Sequence, residues 1–300
     1  MTIAPSPSNR GFEPVPPVRG PVHGKRIGRT RAAERGMSLV EVMVAMAIGL
    51  FIVLIATTLY VSGSSNVGFR MAQSENLGNG RYALGALDSE FTKAGYRRDP
   101  TQSMDAAFPA DPSPLKNDCK FNVGQAIYAT TKGELCIRFQ ARDKDEKDCA
   151  GSTAGIDSLD AYVAPPAPAL GAGMFVEKYF PKGGVLLCQT GSTAKEDDAV
   201  AVADGVQGIL FEFGVGKIAD AFASRTVDSY KTTAPAATEA IRSLRYAVLL
   251  ASSAQVTAGM ESSVCTRWTQ LGGASDRCSA SNGQLYQLAS GSLTLRNLMP

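Results

Sequence analysis

A chain of 300 residues with 44% hydrophobic and 19% charged side chains has room for one or two folded domains, and this composition excludes an intrinsically disordered protein. The net charge of +2 is unevenly placed: residues 1–36 hold seven Lys and Arg (Arg10, Arg19, Lys25, Arg26, Arg29, Arg31 and Arg35) against Glu13 and Glu34, so that segment carries +5 and the other 264 residues carry −3. A mildly acidic body offers no electrostatic basis for general nucleic-acid binding.

Residues 1–36 are expected to be an unstructured leader: six of the sixteen prolines fall within the first 21 positions, and no apolar period appears. Residues 42–61 follow, 20 positions without a charge. At ~1.5 Å per residue they make about 30 Å of helix, the thickness of a bilayer's hydrocarbon core. The basic excess ahead of this span places the N-terminus in the cytoplasm and the body outside. One carboxylate, Glu41, sits just inside the span's N-terminal edge. A charge there is costly, and such residues are usually retained for a function. On the glutamate alone, hydration at the headgroup boundary is an equal explanation.

After a polar break, Ser62-Gly-Ser-Ser-Asn66, a helical period returns. Leu77, Gly80, Leu84, Leu87, Phe91 and Ala94 are spaced 3-4-3-4-3, with Arg81, Asp88, Glu90 and Lys93 off the stripe. One nearly continuous helix is expected over residues 37–97, roughly 90 Å long at ~1.5 Å per residue, with a soft point near residues 63–68. Asp99-Pro100 ends it. From residue 98 the pattern turns to short strands. Leu135, Ile137 and Phe139 alternate with Cys136 and Arg138; residues 174–180 and 185–189 flank Pro181-Lys-Gly-Gly184, a hairpin signature. Ile209, Phe211 and Phe213 form one face, Leu244, Tyr246, Val248 and Leu250 another, and Leu293 and Leu295 a last short one. Residues 164–173 and 221–238 read as long surface loops.

The six cysteines, Cys119, Cys136, Cys149, Cys188, Cys265 and Cys278, all follow the span. An even number in a translocated domain predicts three disulfides and an oxidising compartment, with fifteen connectivities open. A metal site is the weaker reading, because there is no Cys-x-x-Cys and the one histidine, His23, lies in the leader. The body therefore has no imidazole for Ser-His-Asp or Cys-His chemistry, and no catalytic residue is assigned. Residues 142–148 lack the ligand spacing of a calcium loop and read as a solvated charged turn. Gly214-Val-Gly216 lacks the context of a phosphate cradle. Trp268 is expected in the core or half-buried.

Gly36-Met-Ser-Leu-Val-Glu41 followed by an apolar helix resembles the class III signal of type IV pilins and type II secretion pseudopilins. The resemblance implies cleavage by a prepilin peptidase between Gly36 and Met37, N-methylation of Met37, and Glu41 as the fifth mature residue. Two features depart from the usual pattern: Met stands at the first mature position where Phe is commoner, and the 36-residue leader is long. A glycine before the cut lets a protease approach the backbone closely. Glu41, desolvated among apolar helices, requires a cation, and the free α-amino group of Met37 on an adjacent subunit is the nearest one.

Ser74-Glu-Asn-Leu-Gly-Asn-Gly-Arg-Tyr-Ala-Leu84, running on to Phe91-Thr-Lys-Ala-Gly-Tyr96, is similar to the helix of PilW-type minor pilins. Asp148-Cys-Ala-Gly151, Leu186-Leu-Cys-Gln189, Asp204-Gly-Val-Gln-Gly-Ile-Leu-Phe-Glu-Phe-Gly214, residues 241–252 and Leu293-Thr-Leu-Arg-Asn297 resemble that family as well, and GspJ-type minor pseudopilins are its relatives. This resemblance implies the pairs Cys149–Cys188, Cys265–Cys278 and Cys119–Cys136.

The expected architecture is α+β and pilin-like: a leader over 1–36, a helix over 37–97 that spans the membrane at 42–61, and a β-rich periplasmic domain over 98–300. The function the resemblance implies is that of a non-enzymatic minor pilin, without cofactor or metal, that primes or joins type IV pilus assembly near the tip. Its expected partners are other minor pilins, the major pilin, the prepilin peptidase, the inner membrane and a tip adhesin. The expected location is the inner membrane and then the cell-surface pilus, with twitching motility and adhesion as consequences. Rival readings are a type II secretion minor pseudopilin, a tethered periplasmic binding or adhesin domain, and, disfavoured by the missing histidine, a tethered enzyme.

Overall fold

The computed structural model describes residues 36–110, 115–130, 133–156, 160–170, 172–193, 195–217, 226–233, 235, 239–256 and 263–299. The leader, apart from Gly36, lies outside the described residues, as do parts of the expected loops at 164–173 and 221–238. The chain divides into two compact units, Met1–Ala56 and Thr57–Pro300.

The described part of the first unit is residues 36–38 and the start of helix α1 (Leu39–Lys93); after Glu41 this stretch is apolar all round, with Met43, Leu50, Phe51 and Leu54 among its exposed side chains. By length and composition α1 is able to cross a membrane. A helix that is apolar all round needs lipid or other helices around it, since nothing in its own unit covers it. The polar stretch at residues 62–66 and the soft point near residues 63–68 are helical, inside one continuous α1. Ser and Gly lower helix propensity by only about 0.5–1 kcal/mol per residue, too little to interrupt a helix whose neighbouring turns are good formers.

In the second unit, α1 buries Ala72, Asn76, Gly80, Ala83, Leu87 and Phe91. This face is rotated from the expected stripe: Gly80, Leu87, Phe91 and Ala94 are on it, whereas Leu77 is 44% exposed and Leu84 only half-buried. Small residues decide the rotation. A Cβ on Gly80 would lie 2.7 Å from Leu250 Cδ1, so the helix sits close to the sheet only with that face inward. Asn76 tolerates burial because its Nδ2 donates to Leu285 O at 2.7 Å. The helix gives way to Gly95 at φ +73°, a conformation suited to a residue without a side chain.

A single turn of helix, α2 (Met104–Ala107), precedes the strands. The first sheet contains β1 (Ile127–Ala129), β2 (Leu135–Gln140), β3 (Ala169–Leu170), β4 (Gly173–Lys182), β5 (Val185–Thr190) and β6 (Val200–Asp204) in the order β1-β2-β4-β5-β6, with β3 beside β4. The second contains β7 (Val206–Lys217), β8 (Ser229–Lys231), β9 (Glu239–Gln255) and β10 (Gln284–Thr294) in the order β10-β9-β7-β8. Helix α3 (Ser263–Gln270) lies between β9 and β10 in the chain. All strand pairs are antiparallel except the two-residue β3–β4 contact. The fold is α+β, a long apolar N-terminal helix followed by antiparallel sheets, as the sequence led us to expect.

The β4–β5 hairpin closes on Gly183 (φ +62°) and Gly184 (φ +81°), the paired positive φ values of a tight turn that matches strand twist. Phe91 joins helix and both sheets. Its ring meets Tyr179 of the first sheet at 5.5 Å and Phe211 and Tyr246 of the second at 6.0 and 5.7 Å, all edge-on. Such pairs add about 0.5–1.5 kcal/mol each beyond the area they bury. Three disulfides are formed, Cys119–Cys136, Cys149–Cys188 and Cys265–Cys278. Trp268 of α3 is buried against Gly208 and Gly273, and its Nε1–H donates to Ala274 O at 2.9 Å.

Candidate functional site

Gly36, Met37 and Ser38 precede the first turn of α1, outside any helix or strand, and Val42 N–H reaches back to Ser38 O at 3.2 Å. Space around Gly36 is open: nothing lies within 4 Å of where a Cβ would stand. Met37 is 66% exposed. Glu41 is exposed in the first turn of α1, where a carboxylate faces the positive end of the helix dipole. The three residues singled out in the sequence thus occupy one short accessible segment at the mouth of an apolar helix. Chemically it offers a backbone bond open to a peptidase, an amine once that bond is cut, and a carboxylate one helical turn away.

The expected disulfide residues lie elsewhere, in the second unit. There the structure brings together charged groups that the sequence had not marked. Arg98, 2% exposed, donates from Nε to Val163 O (2.9 Å), from Nη1 to Ala141 O (3.2 Å) and Arg142 O (2.8 Å), and from Nη2 to Asp160 O (2.6 Å). It ties the loops after β2 and before β3 to the end of α1. Arg138, fully buried in β2, donates to the carbonyls of Phe108, Pro109, Asn122 and Gln125 and lies over the rings of Phe108 and Phe121. The alternation read in residues 135–139 predicted one covered face. All six residues of β2 are buried, because the segment carrying Phe108 and Phe121 covers the other face and Arg138 holds it there.

Glu177 is the third such group, fully buried in β4. Its carboxylate accepts from Cys149 N–H at 2.8 Å and from Tyr179 OH at 2.7 Å. Burial, reinforced by the nearby Glu90 carboxylate, pushes its pKa from 4.5 to about 7 against the opposing hydrogen bonds from Tyr179 and Cys149. The same burial and the same two carboxylates raise the Tyr179 hydroxyl well above its ordinary value. Cys149, Glu177 and Cys188 have ligand atoms within 4.8 Å of one another, but both sulfurs are spent in a disulfide and supply no thiolate. The available signal for these residues was a charge amid bulky apolar neighbours in a strand: Ile137-Arg138-Phe139 and Val176-Glu177-Lys178-Tyr179.

Because the folded pKa of Glu177 lies above its value in the unfolded chain, the penalty is absent below pH 4.5 and accumulates as pH rises from about 4.5 to about 7. A shift of this size corresponds to roughly 3 kcal/mol. Glu177→Gln keeps an acceptor for Cys149 N–H without a charge. Thermal melts are expected to match wild type at pH 4.5 and to favour the variant at pH 8; equal melts at both would show that Glu177 ionises without cost.

Comparison with known proteins finds one family model in the chain: residues 31–57 match the prokaryotic N-terminal methylation motif. A search of curated proteins finds no match. Among solved structures the chain is similar to a type IV-like pilin from Thermus thermophilus, with 12% sequence identity, a TM-score of 0.41, and coverage of 74% of this chain and 98% of that one. The chain carries a prokaryotic N-terminal methylation motif, and that motif includes Gly36, Met37, Glu41 and the start of the apolar helix.

Proposed function

We propose that the chain is a type IV pilin-like protein and, within that class, a minor pilin of the PilW type that primes or joins pilus assembly near the tip. The observation that carries this reading is the match of residues 31–57 to the methylation motif, in register with an exposed Gly36–Met37 bond and Glu41 at the head of an apolar helix. In this account the leader over 1–36 is removed by a prepilin peptidase and Met37 is methylated. Residues 42–61 cross the inner membrane and the β-rich domain over 98–300 faces the periplasm. An oxidising compartment is consistent with six cysteines in three disulfides.

The mechanism is assembly, not catalysis. The apolar half of α1 exchanges lipid for the helices of neighbouring subunits, Glu41 meets the methylated amine of Met37 on the next subunit, and the two sheets present lateral and tip surfaces. Partners are other minor pilins, the major pilin and an adhesin at the tip, with twitching motility and adhesion as outputs. Deletion of the gene tests the assignment: surface pili and twitching are expected to be lost with exoprotein secretion intact. Loss of secretion with pili retained would move the protein to a type II secretion pseudopilus.

A further inference from the structure

Glu177 is buried at a cost, and what lies against it is a disulfide. A carboxylate oxygen and the sulfurs of Cys149 and Cys188 are within 4.8 Å of one another. The carboxylate also accepts from Cys149 N–H at 2.8 Å, which holds it beside the pair. The two cysteines differ in access: Cys149, in the turns after β2, is half-buried, whereas Cys188 in β5 is 1% exposed. A thiol from solution therefore reaches Cys149. Its attack there expels the Cys188 sulfur into the interior, where a thiolate is poorly stabilised and needs a proton.

Glu177 has a route for exchanging such a proton with water. Tyr179 OH donates to it at 2.7 Å and neighbours Glu90, whose side chain is 25% exposed and paired with Lys93 at 2.6 Å. The charged and titratable groups around Glu177 are thus Glu90 and Lys93 from α1 and Tyr179 from its own strand, with the disulfide on the other side. A carboxyl that titrates near neutrality can give a proton in this place and take it back.

We propose that Cys149–Cys188 is an exchange site for low-molecular-weight thiols and disulfides, with Glu177 as the proton donor to Cys188 on opening and the proton acceptor on closing. In opening, a thiolate attacks Cys149 Sγ and forms a mixed disulfide. The Cys149–Cys188 bond breaks with its electron pair on Cys188 Sγ, and the Glu177 carboxyl gives that sulfur its proton. A second thiolate then displaces Cys149, which takes a proton from water. Two thiols are oxidised to a disulfide as the protein disulfide is reduced to two thiols, and Glu177 regains its proton by way of Tyr179 and Glu90. Closing runs the same steps backwards, with an external disulfide as the oxidant. None of this depends on how the N-terminal segment is read.

The full oxidised chain in detergent micelles is incubated with reduced glutathione over a range of pH. Free thiols are trapped by alkylation and assigned to each disulfide by peptide mass mapping. Opening of Cys149–Cys188 is expected to be first order in glutathione. Its rate per glutathione thiolate is expected to fall as pH rises through about 7, where the donor is lost. A purely structural role has the opposite sign, because ionising Glu177 loosens the fold and would quicken opening as pH rises. Glu177→Gln is expected to abolish the fall. At about pH 6 it is expected to slow Cys149–Cys188 at least about tenfold relative to Cys119–Cys136 in the same molecules. A rate independent of glutathione would place opening in global unfolding and overturn the exchange site. A wild-type rate that does not fall with pH, or equal slowing of both disulfides in the variant, overturns the role of Glu177.

Discussion

A Glu41→Gln chain is expected to be inserted and to lose its leader as wild type does, yet to be almost absent from sheared fibres. The size of the loss separates two accounts of this carboxylate. If Glu41 serves only the positive end of α1, its charge is worth about 0.3–1 kcal/mol, and fibre content changes by fivefold at most. If it is desolvated against the amine of Met37 on a neighbour, removing one member of the pair costs about 3–5 kcal/mol, a factor of a hundred or more in assembly. Glu41→Asp keeps the charge on a shorter arm and is expected to fall between. Immunoblots of the sheared and membrane fractions read the ratio directly. Fibre content within fivefold of wild type would leave the dipole account and remove the register role.

Arg98→Met is expected to be the most damaging change in the second unit. The guanidinium donates to four backbone carbonyls, those of Ala141, Arg142, Asp160 and Val163, all outside the strands. Methionine fills a similar volume but leaves these acceptors unpaired. Such bonds are worth about 1.5–3 kcal/mol each in isolation and do not sum, so a total loss of about 3–5 kcal/mol is expected. For a chain of this size that is a fall in Tm of roughly 10 °C. Lysine does not rescue, because one ammonium cannot reproduce the spread fork of donors. Arg81, exposed on α1, is the control: Arg81→Met is expected to stay within about 0.5 kcal/mol. Equal melts of the two variants in detergent would show that the Arg98 bonds are dispensable.

Features set by local pattern were readable from the sequence, and features set by what a loop later covers were not. The glycine pair at 183–184 announced its hairpin because only residues tolerant of positive φ fit there. The alternations at 209–213 and 244–250 marked the inner faces of β7 and β9, since burial on one face leaves a period of two. The α1 stripe came out rotated because its true face is built from Ala72, Asn76, Gly80 and Ala83, residues that carry little apolar signal and are chosen for closeness to the sheet. Ser290-Gly-Ser292, on which the sequence reading was silent, lies inside β10. Gly291 is needed where a Cβ would stand 2.3 Å from the Tyr246 ring. Arg98 and Arg138 were missed because their partners are backbone carbonyls brought in by distant segments, and Glu177 because the Cys149 N–H that it accepts from arrives on a distant loop, none of which a spacing rule encodes. The N-terminal segment is the opposite case. Gly36, Met37 and Glu41 lie within one contiguous motif at residues 31–57, so the linear sequence carries them.

The central claim is that the Gly36–Met37 bond is cut and Met37 modified. Intact mass spectrometry of the chain recovered from its native membranes reads this in one step. The account predicts a mature protein beginning at Met37 with one added methyl group and three disulfides' worth of missing hydrogens. A chain that retains residues 1–36 would contradict it and leave a membrane-tethered β domain.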